Sequence, residues 1–241
     1  MIGIFRAELL KLRRSLVVLV LAVPPVMIFL LSVLTRLTGN GPDLWLVQSM
    51  ATSAVWAYFL LPMTATGMTA LLAQLEHSTG MWSHILALPP AKWTIFAAKC
   101  VLALLLMAVA SGLAWASIFA AGHTANLLAP DHALQGPVPY WDAAKLLAKM
   151  FAASILLIAV QLAIALRYAS FALPISIGVG GTFVAVAATS SQYGAYFPWL
   201  LPVNMLASEP ERAQFALTYG VAGGFIVLAV LTIWFARRDW K

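Results

Sequence analysis

Long apolar stretches with almost no charge are the feature that most restricts how this chain can fold. A helix needs about 20 apolar residues to cross the roughly 30 Å hydrocarbon core of a bilayer. Since 63% of the residues are hydrophobic, 9% are charged and the mean hydropathy is +0.93, the composition lies outside the range of soluble domains. We expect an all-α, polytopic membrane protein with six transmembrane helices. The predicted spans are residues 15–37, 44–74, 93–121, 143–166, 170–190 and 215–236.

The connections between these spans predict one membrane domain over residues 1–241. Pro24 and Pro25 predict a kink in the first span. Residues 192–202 contain prolines and several aromatic side chains, which indicates an interfacial or re-entrant segment. The polar stretch 122–142 is predicted to be an extracytoplasmic loop, in which His123 and His132 lie.

The distribution of basic residues predicts the orientation of the chain. An even number of spans places both termini on one side of the membrane. The Lys and Arg residues lie mostly on that side, and the exceptions are Arg36, Lys145, Lys149 and Arg212. Both termini are therefore predicted to be cytoplasmic. Because the basic residues lie at the ends of apolar stretches, the net charge of +6 indicates membrane topology and not nucleic-acid binding.

Residues 1–14 are predicted to form an interfacial helix. Apolar residues recur on one face, as expected for a helix on the inner leaflet. The residues assigned to this helix are Phe5, Arg6, Glu8, Lys11, Arg13 and Arg14. The alternative interpretation is a frayed basic flank that only orients the first span.

The sequence lacks the residue patterns of several enzyme and carrier classes. It contains no G-x-x-x-x-G-K-[ST] motif, so a partner must bind any ATP. Ser111 is a poor protease candidate because all four His residues are predicted in loops. His77 and His84 lack further ligands for a metal, and Cys100 is interpreted as core packing. We therefore assign neither a catalytic nor a metal site.

The predicted spans have no ionisable residue at their centres, which argues against a carrier driven by an ion gradient. Lys145 and Lys149 could attract an anionic headgroup or peptide, although they could equally be interfacial anchors. The pairs Ser176 with Gly180 and Gly220 with Gly224 have the spacing that permits close helix packing.

The segment between the second and third spans combines polar, glycine and apolar residues. Ser78 or Thr79 can cap a short helix, Gly80 permits a sharp entry, and Met81 with Trp82 begins an apolar face. We interpret this segment as a short cytoplasmic helix that a partner protein can bind. Movement of the partner would then displace the second and third spans together, both of which are longer than the hydrocarbon core requires.

Two segments of the sequence resemble the ABC-2 type permeases, particularly the small six-span permeases similar to lantibiotic and bacitracin immunity exporters. They are "FRAELLKLRRS", residues 5–15, and "EHSTGMWSHILALPPAKWTIFAAK", residues 76–99. The resemblance implies a permease domain whose coupling helix, residues 76–88, docks into a separate ATPase. The residues implied in coupling are Glu76, Thr79, Gly80, Met81, Trp82 and His84, with Glu76 tied to neighbouring basic side chains.

The same resemblance implies the assembly and the function. Two permease chains, either a homodimer or related subunits, work with two cytosolic ATPase chains that carry ATP and Mg²⁺ in a bacterial inner membrane. The implied function is export of a hydrophobic or amphipathic compound, as in antimicrobial peptide immunity or drug efflux. The alternative function is a membrane scaffold or toxin-sequestering immunity protein that does not transport.

Overall fold

The computed structural model of the chain describes residues 2–13, 15–39, 41–77, 80, 82 and 91–238. Over these ranges the chain is helical and contains no β-strand, apart from an isolated bridge between Leu44 and Gln135, which confirms the all-α prediction. The α-helices are α1 (Ile2–Leu12), α2 (Val17–Leu37), α3 (Trp45–Val55), α4 (Leu61–His77), α5 (Lys92–Leu128), α6 (Tyr140–Ala153), α7 (Ile155–Arg167), α8 (Ala172–Ala187) and α9 (Pro210–Arg237).

The predicted spans correspond to helices of three kinds. Among the described residues, four helical segments are long and apolar enough to cross a membrane: Val17–Leu37, Trp45–His77, Lys92–Leu128 and Pro210–Arg237. The pair α6 and α7 would make a fifth span if its two bent halves cross together. Helix α8 has 16 residues, which is shorter than a usual span. Crossing by α8, and with it the count of six, stays a prediction.

The segment Trp45–His77 is the most buried of these spans and contains a local defect. Residues Trp56–Leu60 form a π-helical turn between α3 and α4. The sequence explains this turn, because Pro62 has no N–H to donate to the carbonyl of Tyr58 and its ring would clash with that carbonyl in a regular helix. The chain widens there, and Leu61 N–H donates to the carbonyl of Trp56.

The prediction that residues 143–166 form one continuous helix is wrong. This segment consists of α6 and α7, which meet at Ser154 with a bend of 41°. The sequence near Ser154 contains neither Pro nor Gly. The bend follows from tertiary packing, because Gly220 and Gly224 of α9 lie directly against it. A Cβ at Gly220 would lie 2.8 Å from Ala153 Cα, and one at Gly224 would lie 2.7 Å from Leu156 N.

The predicted loop 122–142 is shorter than expected, because α5 continues to Leu128. Gly122 lies against the indole of Trp45, where a Cβ would approach Cη2 to 2.6 Å. The ring centroids of Trp45 and His123 are 4.8 Å apart, and His123 Nε2 lies 2.6 Å from the Tyr140 hydroxyl. These contacts keep the polar end of α5 helical. His123 is therefore in a helix, as is His77 at the end of α4, and both loop assignments were wrong.

Residues 192–206 form three 3₁₀ turns, Gln192–Tyr196, Pro198–Leu200 and Val203–Leu206, instead of an α-helix. Trp199 and Leu200 are buried, whereas Tyr193 and Tyr196 are exposed. Whether this segment is re-entrant or interfacial stays a prediction. It lies at the end of the molecule that contains the start of α9, opposite the end at which α4 stops and α5 begins.

Candidate functional site

Four charged side chains meet inside the protein where α1, α4 and α5 converge. Lys99 Nζ donates to Glu8 Oε2 at 2.7 Å and to Glu76 Oε1 at 2.8 Å. Lys11 Nζ donates to Glu8 Oε1 at 2.5 Å and to Glu76 Oε1 at 2.9 Å. Each lysine therefore bridges both carboxylates. We call these four residues, Glu8, Lys11, Glu76 and Lys99, the charge cluster.

Helix geometry places each member of the charge cluster. Glu8 and Lys11 are separated by three positions on α1, so they lie on the same face of that helix. Glu76 lies in the last turn of α4, and Lys99 lies in the second turn of α5. The segment that contains Gly80 and Trp82 connects these two helices. The charge cluster therefore ties α1 to both ends of that connection.

Burial of three members of the charge cluster carries a large cost in desolvation free energy. The exposed fractions of Glu8, Glu76 and Lys99 are 3%, 1% and 1%. Buried charges are costly unless they are paired and hydrogen-bonded. Two carboxylates and two ammonium groups balance one another here, which explains how an apolar protein accommodates them.

The pKa values of the two α1 residues reflect this balance. Burial raises the pKa of the Glu8 carboxyl, but the charge of Lys99 and the hydrogen bonds from Lys11 and Lys99 outweigh burial, so the pKa lies below its ordinary value. Burial lowers the pKa of Lys11, but Glu8 and Glu76 outweigh this effect and hold the pKa above its ordinary value. Both shifts favour the charged forms.

Aromatic rings cover the charge cluster. Trp82 stacks on Phe96 with ring centroids 5.7 Å apart, and Phe96 packs against Phe235 of α9 at 5.5 Å. Lys99 Nζ lies 5.8 Å from the centroid of the Trp82 ring, within the range of a cation–π contact. Trp82 is 6% exposed. The connection between α4 and α5 is therefore anchored to the charge cluster and to the last turns of α9.

His77 fixes the same connection through a defined tautomer. Trp82 Nε1 donates to His77 Nδ1 at 3.1 Å, so Nδ1 carries a lone pair. His77 Nε2 lies 3.2 Å from the carbonyl oxygen of Ala165 at the end of α7, and a carbonyl can only accept. We assign the neutral imidazole with its proton on Nε2. Protonation of Nδ1 would remove its acceptor and release the Trp82 indole.

Gly80 occupies a backbone conformation that suits glycine. Its φ is +61°, in the left-handed region, and its N–H donates to the carbonyl of His77 at 3.4 Å. A Cβ at Gly80 would meet no heavy atom within 4 Å. The restriction at this position is thus conformational and not steric.

The structure places the other predicted residues as follows. Arg6 of α1 and Arg13, which follows α1, are exposed, and Phe5 packs against the core. Gly220 and Gly224 pack within the chain against the α6–α7 bend, whereas Ser176 and Gly180 are exposed. Arg14, Thr79, Met81 and His84 lie outside the described residues. The roles assigned to these residues in coupling, interfacial binding and helix packing stay predictions.

The sequence interpretation assigned no site role to Lys99, His77, Phe96 or Phe235. The available signal was Lys99 itself, because a charge inside an apolar span requires a partner. The contacts of Phe235 had no sequence signal, because α9 lies far along the chain. Among the described residues, no group of three or more His, Cys, Asp and Glu side chains could hold a metal ion.

Comparison with known proteins identifies a related family. The family model described as ABC-2 family transporter protein matches residues 4–185, which include the whole charge cluster. No curated protein matches the chain.

Proposed function

Because the chain belongs to the ABC-2 transporter family, and so is a permease component of an ABC transporter, we propose that residues 76–88 couple it to a separate ATPase subunit. The observation that carries this proposal is the charge cluster. It joins α1, the end of α4 and the start of α5 directly beside the segment that would contact the ATPase.

The contacts of the charge cluster suit transmission of movement. A displacement of the segment after Glu76 also displaces Lys99 and Lys11, because both ammonium groups bind the same Glu76 oxygen. Trp82 adds contacts to His77 and Phe96, and so to α7 and α9. Helices that start at this end would move as one unit instead of separately.

The assembly that we propose contains two permease chains, identical or related, and two cytosolic ATPase chains that bind ATP and Mg²⁺. The cargo is a hydrophobic or amphipathic compound, such as an antimicrobial peptide or a drug, exported across a bacterial inner membrane. The apolar character of the spans supports this cargo class. An ion-driven carrier is disfavoured, because the predicted spans have no ionisable residue at their centres.

The coupling assignment is tested with Met81→Asp in the permease co-expressed with its ATPase subunit. A charge in the predicted docking face should prevent co-purification of the ATPase and abolish the ATP turnover of the complex. The matched variant is Met81→Leu, because leucine keeps an apolar side chain of similar size at the same position and adds no charge. This variant should retain both properties.

Two results would contradict the assignment. Unchanged co-purification and turnover in Met81→Asp would place the ATPase contact elsewhere. Normal cargo export by a wild-type permease in cells whose ATPase cannot hydrolyse ATP would contradict ATP-driven transport itself. A protein that only sequesters a toxin would still protect such cells without lowering the cellular content of cargo.

A further inference from the structure

A pocket lined by several polar side chains lies at the end of the molecule opposite the charge cluster. It has a volume of about 260 Å³ and lies between the π-helical turn, the end of the α8 segment, the 3₁₀ turns and the start of α9. The residues that line it and carry the argument are Tyr58, Thr189, Asn204, Glu209 and Arg212. We call it the Arg212 pocket.

Hydrogen bonds fix the orientation of two donor groups in the Arg212 pocket, the guanidinium of Arg212 and the side-chain amide of Asn204. Arg212 Nε donates to Asn204 Oδ1 at 3.0 Å, and Arg212 Nη2 lies 3.4 Å from the carbonyl oxygen of Thr189. Since a guanidinium can only donate, the Asn204 oxygen must face it. The Asn204 amide nitrogen is then a donor of known position. This nitrogen is buried and has no hydrogen-bond partner among the described residues, and Asn204 is 3% exposed.

Arg212 shares this pocket with one carboxylate, that of Glu209. Within the part of the chain that the structure describes, Arg212 forms no ion pair, and Glu209 lies exposed at the pocket. By contrast, Lys145 at the same end of the molecule pairs with Asp142 at 3.6 Å. A half-buried guanidinium beside an unpartnered buried amide favours an acceptor with negative charge. The start of α9 adds its partial positive charge, since Glu209 provides no side-chain cap.

The depth of the Arg212 pocket indicates where this acceptor is found. The helical path from Tyr58 to His77 measures about 28 Å, and that from Arg212 to Arg237 about 37 Å, at 1.5 Å per residue. One length is slightly below and the other above the roughly 30 Å thickness of the hydrocarbon core. If the charge cluster lies at one membrane surface, the pocket lies at the headgroups of the opposite leaflet. The nearby aromatic side chains Tyr196, Phe215 and Tyr219, which contact one another, are typical of that interface.

We propose that the Arg212 pocket binds the phosphate group of a phospholipid in the leaflet opposite the charge cluster. Arg212 and Asn204 donate to the phosphate oxygens, and the tyrosine ring of Tyr58 lines the cavity. The volume is below the 300–1,000 Å³ typical of pockets for drug-sized ligands, so it suits a headgroup with its acyl chains outside. A bound lipid would link the second span to the start of α9. This inference does not depend on the proposed coupling to an ATPase.

The test measures the thermal unfolding of the purified full chain in a neutral detergent, with a short-chain phosphatidylglycerol added. Saturating lipid should raise the unfolding temperature of the wild type by about 5 °C. Asn204→Asp should lose this rise, because its carboxylate keeps an acceptor for Arg212, removes the amide donor and repels phosphate. Arg212→Gln should lose it too. Lys145→Gln removes a cation at the same end and should keep the full rise.

Three results would overturn the proposal. An equal rise with diacylglycerol, which has no phosphate, would show binding of the acyl chains only. An equal rise with inorganic phosphate at the same concentration would show a site for soluble anions instead of lipid. A full rise in Asn204→Asp would place the lipid elsewhere, and this variant decides the matter if Arg212→Gln does not fold.

Discussion

The side chain of Lys99 has an exposed fraction of only 1%, and its contacts explain how a charged group can be buried in an apolar helix. Its ammonium group contacts two carboxylates and lies near the Trp82 ring. The favourable contacts offset the cost of burial only while all members of the charge cluster are present. Removing one partner leaves another buried charge uncompensated.

We expect Lys99→Met to lower the free energy of unfolding by about 3–5 kcal/mol, because Glu8 and Glu76 would then share Lys11. The measurement is denaturant unfolding in detergent, followed by the fluorescence of tryptophan. The control is Lys145→Met, which breaks an exposed pair and should cost about 0–1 kcal/mol. Equal losses in the two variants would contradict a special role for the charge cluster.

The pH dependence of stability should follow the charged forms of Glu8 and Lys11. The Glu8 contribution is fully present above about pH 4.3, the ordinary pKa of glutamate, and is lost as pH falls through its lower folded-state pKa. The Lys11 contribution is present below about pH 10.4 and is lost as pH rises through its higher folded-state pKa.

Between about pH 4.3 and about pH 10.4, Glu8 and Lys11 should therefore cause almost no change in the unfolding temperature. Glu8→Gln should flatten the acid limb of the curve of unfolding temperature against pH, whereas Glu211→Gln, a change at an exposed position on α9, should leave it unchanged. An acid limb of the same depth in Glu8→Gln would show that other groups cause it.

At the scale of elements, glycine positions decide how closely helices approach. Gly220 and Gly224 allow α9 to touch the backbone at the α6–α7 bend. Gly178 of α8 similarly faces the buried pair in which Gln161 Nε2 donates to Thr66 Oγ1 at 2.9 Å, and a Cβ there would clash with both side chains. Gly180, two positions along the same helix, meets nothing within 4 Å. Gly178 and Gly180 therefore lie on roughly opposite faces of α8, one packed and one open.

Gly220→Val should destabilise the chain by about 1–3 kcal/mol or more, because the added side chain displaces α9 from the bend. The comparison is Gly180→Val, which adds the same atoms to an open face and should change the free energy of unfolding little. Thermal unfolding of both variants in one detergent provides the measurement. Similar losses would indicate that helix propensity, and not close packing, causes the effect.

At the scale of the whole molecule, the two ends of the bundle differ in their chemistry. One end holds the charge cluster, its aromatic cover and the connection between α4 and α5. The other end holds the 3₁₀ turns and the Arg212 pocket. We expect the first end to face the cytosol, as the excess of Lys and Arg near the chain termini predicts.

Labelling of single cysteines tests this orientation in a Cys100→Ala background. A membrane-impermeant maleimide should label Leu127→Cys in intact cells, because Leu127 is 82% exposed at the end of α5 opposite the charge cluster, which we expect to face outward. Arg13→Cys, at the end of α1, should react only after the membrane is permeabilised. The opposite labelling pattern would show that the protein has the reverse orientation in the membrane, which would contradict the coupling proposal.

The sequence by itself determined the membrane class, the helical fold and the approximate positions of four of the six predicted spans, because these depend on hydropathy along the chain and on the length of a helix needed to cross lipid. It also placed Gly80 in the connection between the second and third spans, whereas Glu76, predicted to begin that connection, lies in the last turn of α4. It could not reveal the bend at Ser154 or the continuation of α5 to Leu128, because these depend on Gly220, Gly224 and Trp45 approaching from other helices. The charge cluster and the Arg212 pocket were likewise decided only by the tertiary structure, since each joins side chains far apart along the chain, and the pairing of buried charges and donors depends on distances in space.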